Sequence, residues 1–221
     1  PEAEQKRVRI VHHDLKAELN PEIRSTIGEV DYISHLAAGS HVDRSITHPL
    51  EFVMDNVVGT ANILDYARKL DSLERFAYFS TDEIFGPAPI GVNYKENDRY
   101  NSTNPYSATK AGAEELVVAY ENTYGLPSII THTMNVFGER QNIEKYIPMV
   151  IKKVRDGEMV TVHGDKEKTV AGSRHYIYAG DVAEALLFLY NYDVSSIGID
   201  SSGIKCQKFN FLMHLNPNII L

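Results

Sequence analysis

Short apolar runs rich in β-branched and aromatic residues alternate along this chain with longer segments whose apolar positions recur at helical spacing. Runs at residues 8–12, 32–36, 76–80 and 128–133 read as strands, each closing on small or polar residues where a loop begins. Between the second and third, residues 49–70 place Phe52, Val53, Asn56, Val57, Thr60, Ile63, Leu64 and Ala67 on one stripe, and Pro49 suits a first helical turn. A second helix opens at the capping residue Asn104 with Pro105 at its first position. It runs over 105–124 to a stop at Gly125, with Leu116, Val117 and Tyr120 on its apolar face. Strands and helices in this alternation predict an α/β fold on a parallel sheet, whose ligands sit at the C-terminal ends of the strands.

From Glu144 the rhythm changes to a helix ending at Arg155, a strand at 159–163, a polar loop at 166–173 and a helix over 181–192. This predicts a larger portion, residues 1–143, and a smaller lobe, residues 144–221; the stretch 193–221 has neither periodicity nor caps and carries no assignable structure.

With 221 residues, 43% of them hydrophobic, the chain can bury one full core, or a core and a small appendage. A net charge of -8 argues against a nucleic-acid partner, which would need clustered Lys and Arg. The single cysteine, Cys206, excludes an internal disulfide and a multi-cysteine zinc site, and fits the reducing cytoplasm. His12, His13 and His163 lack metal-ligand spacing, so no metal is expected. No apolar run approaches the roughly 20 residues of a membrane span. The charged start, Pro1 to Arg9, does not read as a signal peptide and is expected to be an interior cut.

Three constellations carry candidate chemistry. Ser80-Thr81-Asp82-Glu83 ends an apolar run and is followed by Phe85-Gly86. Adjacent carboxylates at a strand end suit general acid and base work if their surroundings separate their protonation, although a solvated surface turn also accounts for them. Tyr106 precedes Lys110 by four residues, a spacing that stacks an ammonium beside a phenol on a helix. A nearby cation and a helix N-terminus both favour phenolate, while a surface Tyr-Lys pair is the plainer account. In the third, the strand ending at Leu36 runs into Ala37-Ala38-Gly39-Ser40-His41, where small residues admit a ligand to the backbone or simply make a tight connection.

Together and in this order, Leu36 to Ser45, Ser80 to Glu83, Asn104-Pro105-Tyr106 with Lys110, and Glu144 to Pro148 resemble the dTDP-glucose 4,6-dehydratases and their UDP-glucose relatives. These belong to the NAD-dependent epimerase/dehydratase branch of the extended short-chain dehydrogenases. The resemblance extends over about residues 8–190, and Thr81-Asp82-Glu83 is its specific part. It implies a Rossmann-like doubly wound parallel sheet with a smaller C-terminal substrate lobe, NAD as cofactor, a nucleotide-sugar substrate, and a homodimer through helices 49–70 and 105–124.

By the same resemblance Tyr106 takes the proton of the sugar 4-hydroxyl, Thr81 hydrogen-bonds that hydroxyl, and Lys110 lowers the Tyr106 pKa and holds the nicotinamide ribose. Glu83 removes the C5 proton and Asp82 protonates the departing 6-hydroxyl. Asp14 and Leu15 lie at the adenine. Leu36, Ala37, Ala38, Ser40 and Ser80 also belong to the cofactor site, and His41, Asn135, Glu144, Lys145 and Arg174 to the substrate site.

The sequence departs from the family pattern in three places. No GxxGxxG turn occurs, so the sheet is expected to be incomplete at its N-terminal side, the chain a fragment, and NAD binding by the chain as given poor. Gly39 replaces an acidic or other polar residue, and His132 stands where arginine is common. Two other readings compete: a 4-epimerase on the same scaffold, which needs neither Asp82 nor Glu83, and a truncated remnant acting only as a dimerising or binding module.

Overall fold

A computed structural model describes residues 7–89, 91–162, 164, 167, 169, 171, 172, 174–192 and 207–211. Its helices and strands follow in the order α1 Pro21–Ile27, β1 Tyr32–His35, α2 Val42–Thr47, α3 Pro49–Phe52, a π-helical segment Val53–Val58, α4 Gly59–Ala67 and β2 Arg75–Thr81. A 3-10 turn Asp82–Phe85 precedes α5 Pro105–Tyr124, β3 Ser128–Thr133, β4 Asn135–Phe137, α6 Tyr146–Arg155, β5 Tyr176–Tyr178, α7 Ala179–Asn191 and β6 Gln207–Phe211.

The chain forms two compact units. The first holds the residues through His132 together with 207–210, and the second holds 133–192 with Phe211. In the first, a four-stranded sheet runs in the order β1-β2-β3-β6, and β1 pairs in parallel with β2 in the register Tyr32↔Arg75 to His35↔Tyr78. Phe76, Ala77 and Tyr78 are consecutively buried on β2, as are all six residues of β3. Burial without alternation marks strands covered on both faces, as parallel α/β sheets require. Leu64 and Ala67 of α4, Phe76 and Tyr78 of β2, Ala113 and Val117 of α5, Leu126, and Ile130 of β3 form the core.

Helix α5 obeys its sequence signals. The Asn104 side chain accepts from Ser107 N, Ser107 answers as a reciprocal capping box, and Gly125 ends the helix in the left-handed region at φ 72. The helix predicted over 49–70 forms from 49 to 67 but passes through the π segment. The extra residue rotates the stripe, so Val53 faces solvent while Phe52, Asn56, Thr60, Leu64 and Ala67 stay buried.

Residues 8–12 are not a strand: they belong to no sheet among the described residues, and Val8 and Ile10 are 69% and 76% exposed. A parallel strand exists only through its neighbours' hydrogen bonds, and an apolar run alone does not supply them.

In the second unit β4 and β5 pair in parallel, Asn135↔Tyr176 to Phe137↔Tyr178. The predicted strand at 159–163 is also absent over its described part; Met159 is 87% exposed, and an isolated antiparallel bridge Gly164↔Ala171 closes the polar loop instead. The helix expected from Glu144 starts at Tyr146, after a turn in which Asn142 accepts from Glu144 N. His163, Ser173, Cys206 and most of 193–221 lie outside the described residues, while β6 emerges inside that last stretch. No helix among the described residues is long and apolar enough to cross a membrane, and no cluster of three metal-binding side chains occurs among them.

Candidate active site

The C-terminal end of β2 is turned by its own side chains. Thr81 Oγ1 accepts from Glu83 N at 3.3 Å and donates to Asp82 Oδ1 at 3.3 Å, capping the 3-10 turn that carries both carboxylates. Ile84 and Phe85, the next two residues, are buried and anchor the turn. The Phe85 ring packs against Tyr94, Tyr100 and His132 with centroids 5.6, 5.7 and 5.0 Å away. Asp82 and Glu83 are therefore half-buried groups on a fixed turn, not residues of a loose surface loop.

The N-terminus of α5 meets this turn. Asn104 Nδ2 donates to Glu83 Oε2 at 3.4 Å. The backbone N–H of Tyr106 donates to the buried Ser45 Oγ of α2 at 3.1 Å, which fixes the first turn of α5 laterally. Burial pushes the Tyr106 phenol up to about 12; the Glu83 carboxylate adds to this, a hydrogen bond with Thr81 opposes it, and Asp82 contributes a further rise. Thr81, Asp82, Glu83 and Tyr106 thus share one electrostatic environment.

Lys110 is buried one turn further along α5. Its ammonium donates to the Phe79 carbonyl and lies 4.2 Å from the centroid of the Tyr78 ring. Burial pulls its pKa down to about 7, and the Glu114 carboxylate resists. In this arrangement the Lys110 amino group is turned to the Phe79 carbonyl, and burial is the largest influence on the Tyr106 phenol. Ser80 Oγ, buried near Glu114, completes no hydrogen bond of normal geometry.

The end of β1 supplies the other side of the sheet edge. Leu36 is 58% exposed, and Ala37, Ala38 and Ser40 are also open to solvent. Gly39 is held on both backbone groups by Asn56 of the π segment: its N–H donates to Asn56 Oδ1 at 2.7 Å and its carbonyl accepts from Nδ2 at 3.1 Å. The same Nδ2 donates to Thr109 Oγ1 of α5 at 2.9 Å. A Cβ at Gly39 would stand 3.2 Å from the Phe52 ring and 3.3 Å from Asp55, so the close fit of this loop opposes a side chain there. His41 accepts from Arg44 N at 3.4 Å and caps α2. Asp14 and Leu15 form a turn docked on α4, with Leu15 O accepting from Asn62 at 2.7 Å and Lys16 bridging Asp14 and Asp55.

Asn135, Glu144, Lys145 and Arg174 belong to the second unit. There Asn135 Nδ2 donates to His175 O at 3.2 Å, and Lys145 is the N-cap residue of α6.

Several residues that shape the site carry no catalytic signature in sequence. Asn56, Ser45 and Asn104 are isolated polar residues in or before helices, and only the capping role of Asn104 has a local signal. Glu114 and His132 form a fully buried pair, with His132 Nε2 at 3.0 Å from the carboxylate; Tyr100 OH and Lys208 Nζ, the latter at 2.9 Å, join it. Burial alone would raise the Glu114 pKa, but His132, then Lys208, hold it down to about 2. His35, buried beside Thr60 Oγ1 at 3.0 Å, is pushed down to about 4 by burial and by the Lys110 charge.

Comparison with known proteins shows the family of the chain. The model of the NAD dependent epimerase/dehydratase family matches residues 1–198. The chain is similar to the low-salt glycan biosynthesis protein Agl12 of Haloferax volcanii, 42% identical over 183 residues, covering 82% of this chain and 57% of that protein. It is 43% identical over 159 residues to the trifunctional UDP-glucose 4,6-dehydratase, 3,5-epimerase and reductase RHM3 of Arabidopsis thaliana, covering 71% of this chain and 23% of that one. Among solved structures it is similar to DesIV, a dTDP-glucose 4,6-dehydratase of Streptomyces venezuelae with NAD bound. The TM-score is 0.74 at 32% identity, over 93% of this chain and 59% of the other. The chain spans little more than half the length of Agl12 and DesIV and about a quarter of RHM3.

Proposed function

We propose that this chain, which belongs to the NAD dependent epimerase/dehydratase family, is the catalytic portion of a nucleotide-sugar 4,6-dehydratase. It would convert dTDP- or UDP-glucose to the 4-keto-6-deoxyglucose nucleotide. The observation that carries this reading is the Thr81-Asp82-Glu83 turn, two carboxylates fixed side by side with Glu83 tied to the head of α5 by Asn104 and the Tyr106 phenol in the field of Glu83. A 4-epimerase only oxidises and reduces C4, and has no use for a C5 base and a C6 acid.

NAD supplies the hydride acceptor, restored in each turnover. The residues at the sheet edge fit it: Ser80 Oγ is buried with no hydrogen bond of normal geometry, and the small residues from Ala37 to Gly39 open the backbone at the end of β1. Asp14 and Leu15 would hold the adenine, Leu36, Ala37, Ala38 and Ser40 the ribose and phosphates, and Ser80, Tyr106 and Lys110 the nicotinamide ribose.

The protein's own groups then move the protons. Tyr106 takes the proton of the sugar 4-hydroxyl, with Thr81 hydrogen-bonded to the same oxygen. Near neutrality this requires Lys110 to leave Phe79 O and turn its ammonium toward the phenol, since burial otherwise holds that phenol at about 12. The C4 ketone acidifies the C5 hydrogen, which Glu83 removes while Asp82 protonates the leaving 6-hydroxyl; Glu83 would then return a proton to C5 as C6 regains the hydride taken from C4. The reaction requires the two adjacent carboxyls to hold opposite protonation states. His41, Asn135, Glu144, Lys145 and Arg174 would bind the substrate, Arg174 through diphosphate oxygens.

The reading extends to a homodimer formed by α3 to α4 and α5. Leu50, Val53 and Met54 on the first, and Ala108, Gly112 and Ala119 on the second, are exposed, a small and apolar surface suited to close helix packing. It also carries a cytoplasmic location, in keeping with one cysteine in 221 residues.

The full-length protein with dTDP-glucose and with UDP-glucose should release a 4-keto sugar, read by its absorbance in alkali. Glu83→Gln and Tyr106→Phe should each lower kcat by about 100-fold or more. Undiminished turnover in Glu83→Gln would sink the assignment.

A further inference from the structure

Asn104 does two things with one side chain. Its Oδ1 accepts from Ser107 N at 2.8 Å, and Asn104 N reaches Ser107 Oγ at 3.4 Å, so the amide is held by the capping box at the head of α5. The opposite end of the same amide, Nδ2, donates to Glu83 Oε2 at 3.4 Å. A flip of the amide would set Oδ1 against the carboxylate and the NH₂ against the Ser107 N–H, so both contacts enforce one orientation. Capping alone is served as well by Ser or Asp. A serine hydroxyl can also accept and donate, but from a single atom held at the cap. Asparagine carries the acceptor and the donor on separate atoms of one planar amide, so Nδ2 reaches the carboxylate while Oδ1 caps the helix.

The groups around Glu83 make that donor consequential. Asp82 precedes it on the same turn, the Tyr106 phenol feels its charge from α5, and Thr81 Oγ1 accepts from its N–H. Tyr106 lies two residues beyond Asn104, in the first turn that Asn104 caps.

We propose that Asn104 is a positioning residue for the C5 proton abstraction: it ties the Glu83 carboxylate to the head of α5, setting the base and Tyr106 in one frame. This rests on the dehydratase reading above. Asn104 touches no reacting atom; it acts through Glu83.

Asn104→Ser and Asn104→Asp both keep the cap, so the folded protein survives while the Glu83 contact is lost or made repulsive. In the full-length enzyme with dTDP-glucose and with UDP-glucose, kcat should fall between about 10- and 100-fold with KM within about twofold. The slowed step should be elimination alone, so absorbance at the reduced-nicotinamide band builds up in the first turnover, as in Glu83→Gln. Unchanged kcat, or equal slowing of oxidation and elimination, overturns the proposal. If the unmodified enzyme yields no 4-keto sugar from either nucleotide, the dehydratase reading fails by itself. The contact is then judged by carboxyl NMR of Glu83 in the substrate-free protein. Asn104→Ser should raise its titration midpoint and Asn104→Asp raise it further, because a donor to the charged form is removed and then replaced by a like charge. Unmoved midpoints overturn the proposal on that arm.

Discussion

Gly86 ends the 3-10 turn that carries Asp82 and Glu83 with φ 73, and a Cβ there would stand 2.4 Å from the Asn101 backbone oxygen. Gly86→Ala therefore meets both a left-handed backbone and a rigid clash, and should cost at least about 1–3 kcal/mol, read as a fall in denaturation midpoint. The buried charges make a second prediction, about pH. His35 titrates near 4 in the folded chain against 6.5 in the open one, so its contribution is complete above 6.5 and is lost as pH falls toward about 4. Glu114, held near 2 against 4.5, is complete above 4.5 and lost as pH falls toward about 2. Stability measured by urea unfolding should decline in that order on acidification, and His35→Gln should remove the upper phase; a flat profile between 6.5 and 4 would contradict the assignment. Lys208→Met should cost about 1–3 kcal/mol, since it removes one charged hydrogen-bond partner of the buried Glu114 while His132 and Tyr100 remain. At this scale Thr81, Asp82, Glu83, Tyr106 and Lys110 were legible, because chemistry and spacing mark them. The Glu114–His132–Lys208 cluster was not, since it depends on β3 and β6 standing beside α5, and Lys208 sits in a stretch with no pattern.

Helix α5 was readable because Asn104-Pro105 and Gly125 are local signals with local causes. The same grammar, Asn20-Pro21 with Gly28 at φ 78, bounds α1, but its seven residues bury nothing and show no apolar stripe to mark a helix in the sequence. The π segment was not readable. Its extra residue is held by tertiary hydrogen bonds, Asn56 joining Gly39 of the β1 loop to Thr109 of α5. Asn56→Leu removes all three and should cost about 2–4 kcal/mol, at about 1 kcal/mol for each bond. Because the loop it frees carries Ala37 and Ala38, NAD binding by the full-length protein should weaken as well, a loss that titration of the cofactor would read. Unchanged stability and affinity would show that the segment persists without its clamp. The run at 8–12 teaches the converse: an apolar β-branched run becomes a strand only where neighbours complete its hydrogen bonds.

For the whole molecule, the sequence predicted an α/β chain with a parallel sheet, and the β1–β2 pairing and the family membership bear that out. The described residues divide at 132–133 into two units, a boundary with no composition signal because β3 leads almost directly into β4. The residues proposed for catalysis lie in the first unit and those proposed for the nucleotide diphosphate in the second. The most direct test uses dTDP-glucose and UDP-glucose deuterated at C4, with the product examined by mass spectrometry and NMR. The account predicts that the deuterium moves to C6 of a 4-keto-6-deoxy sugar, with a solvent hydrogen at C5. Deuterium retained at C4 of an inverted sugar would contradict it and establish an epimerase instead.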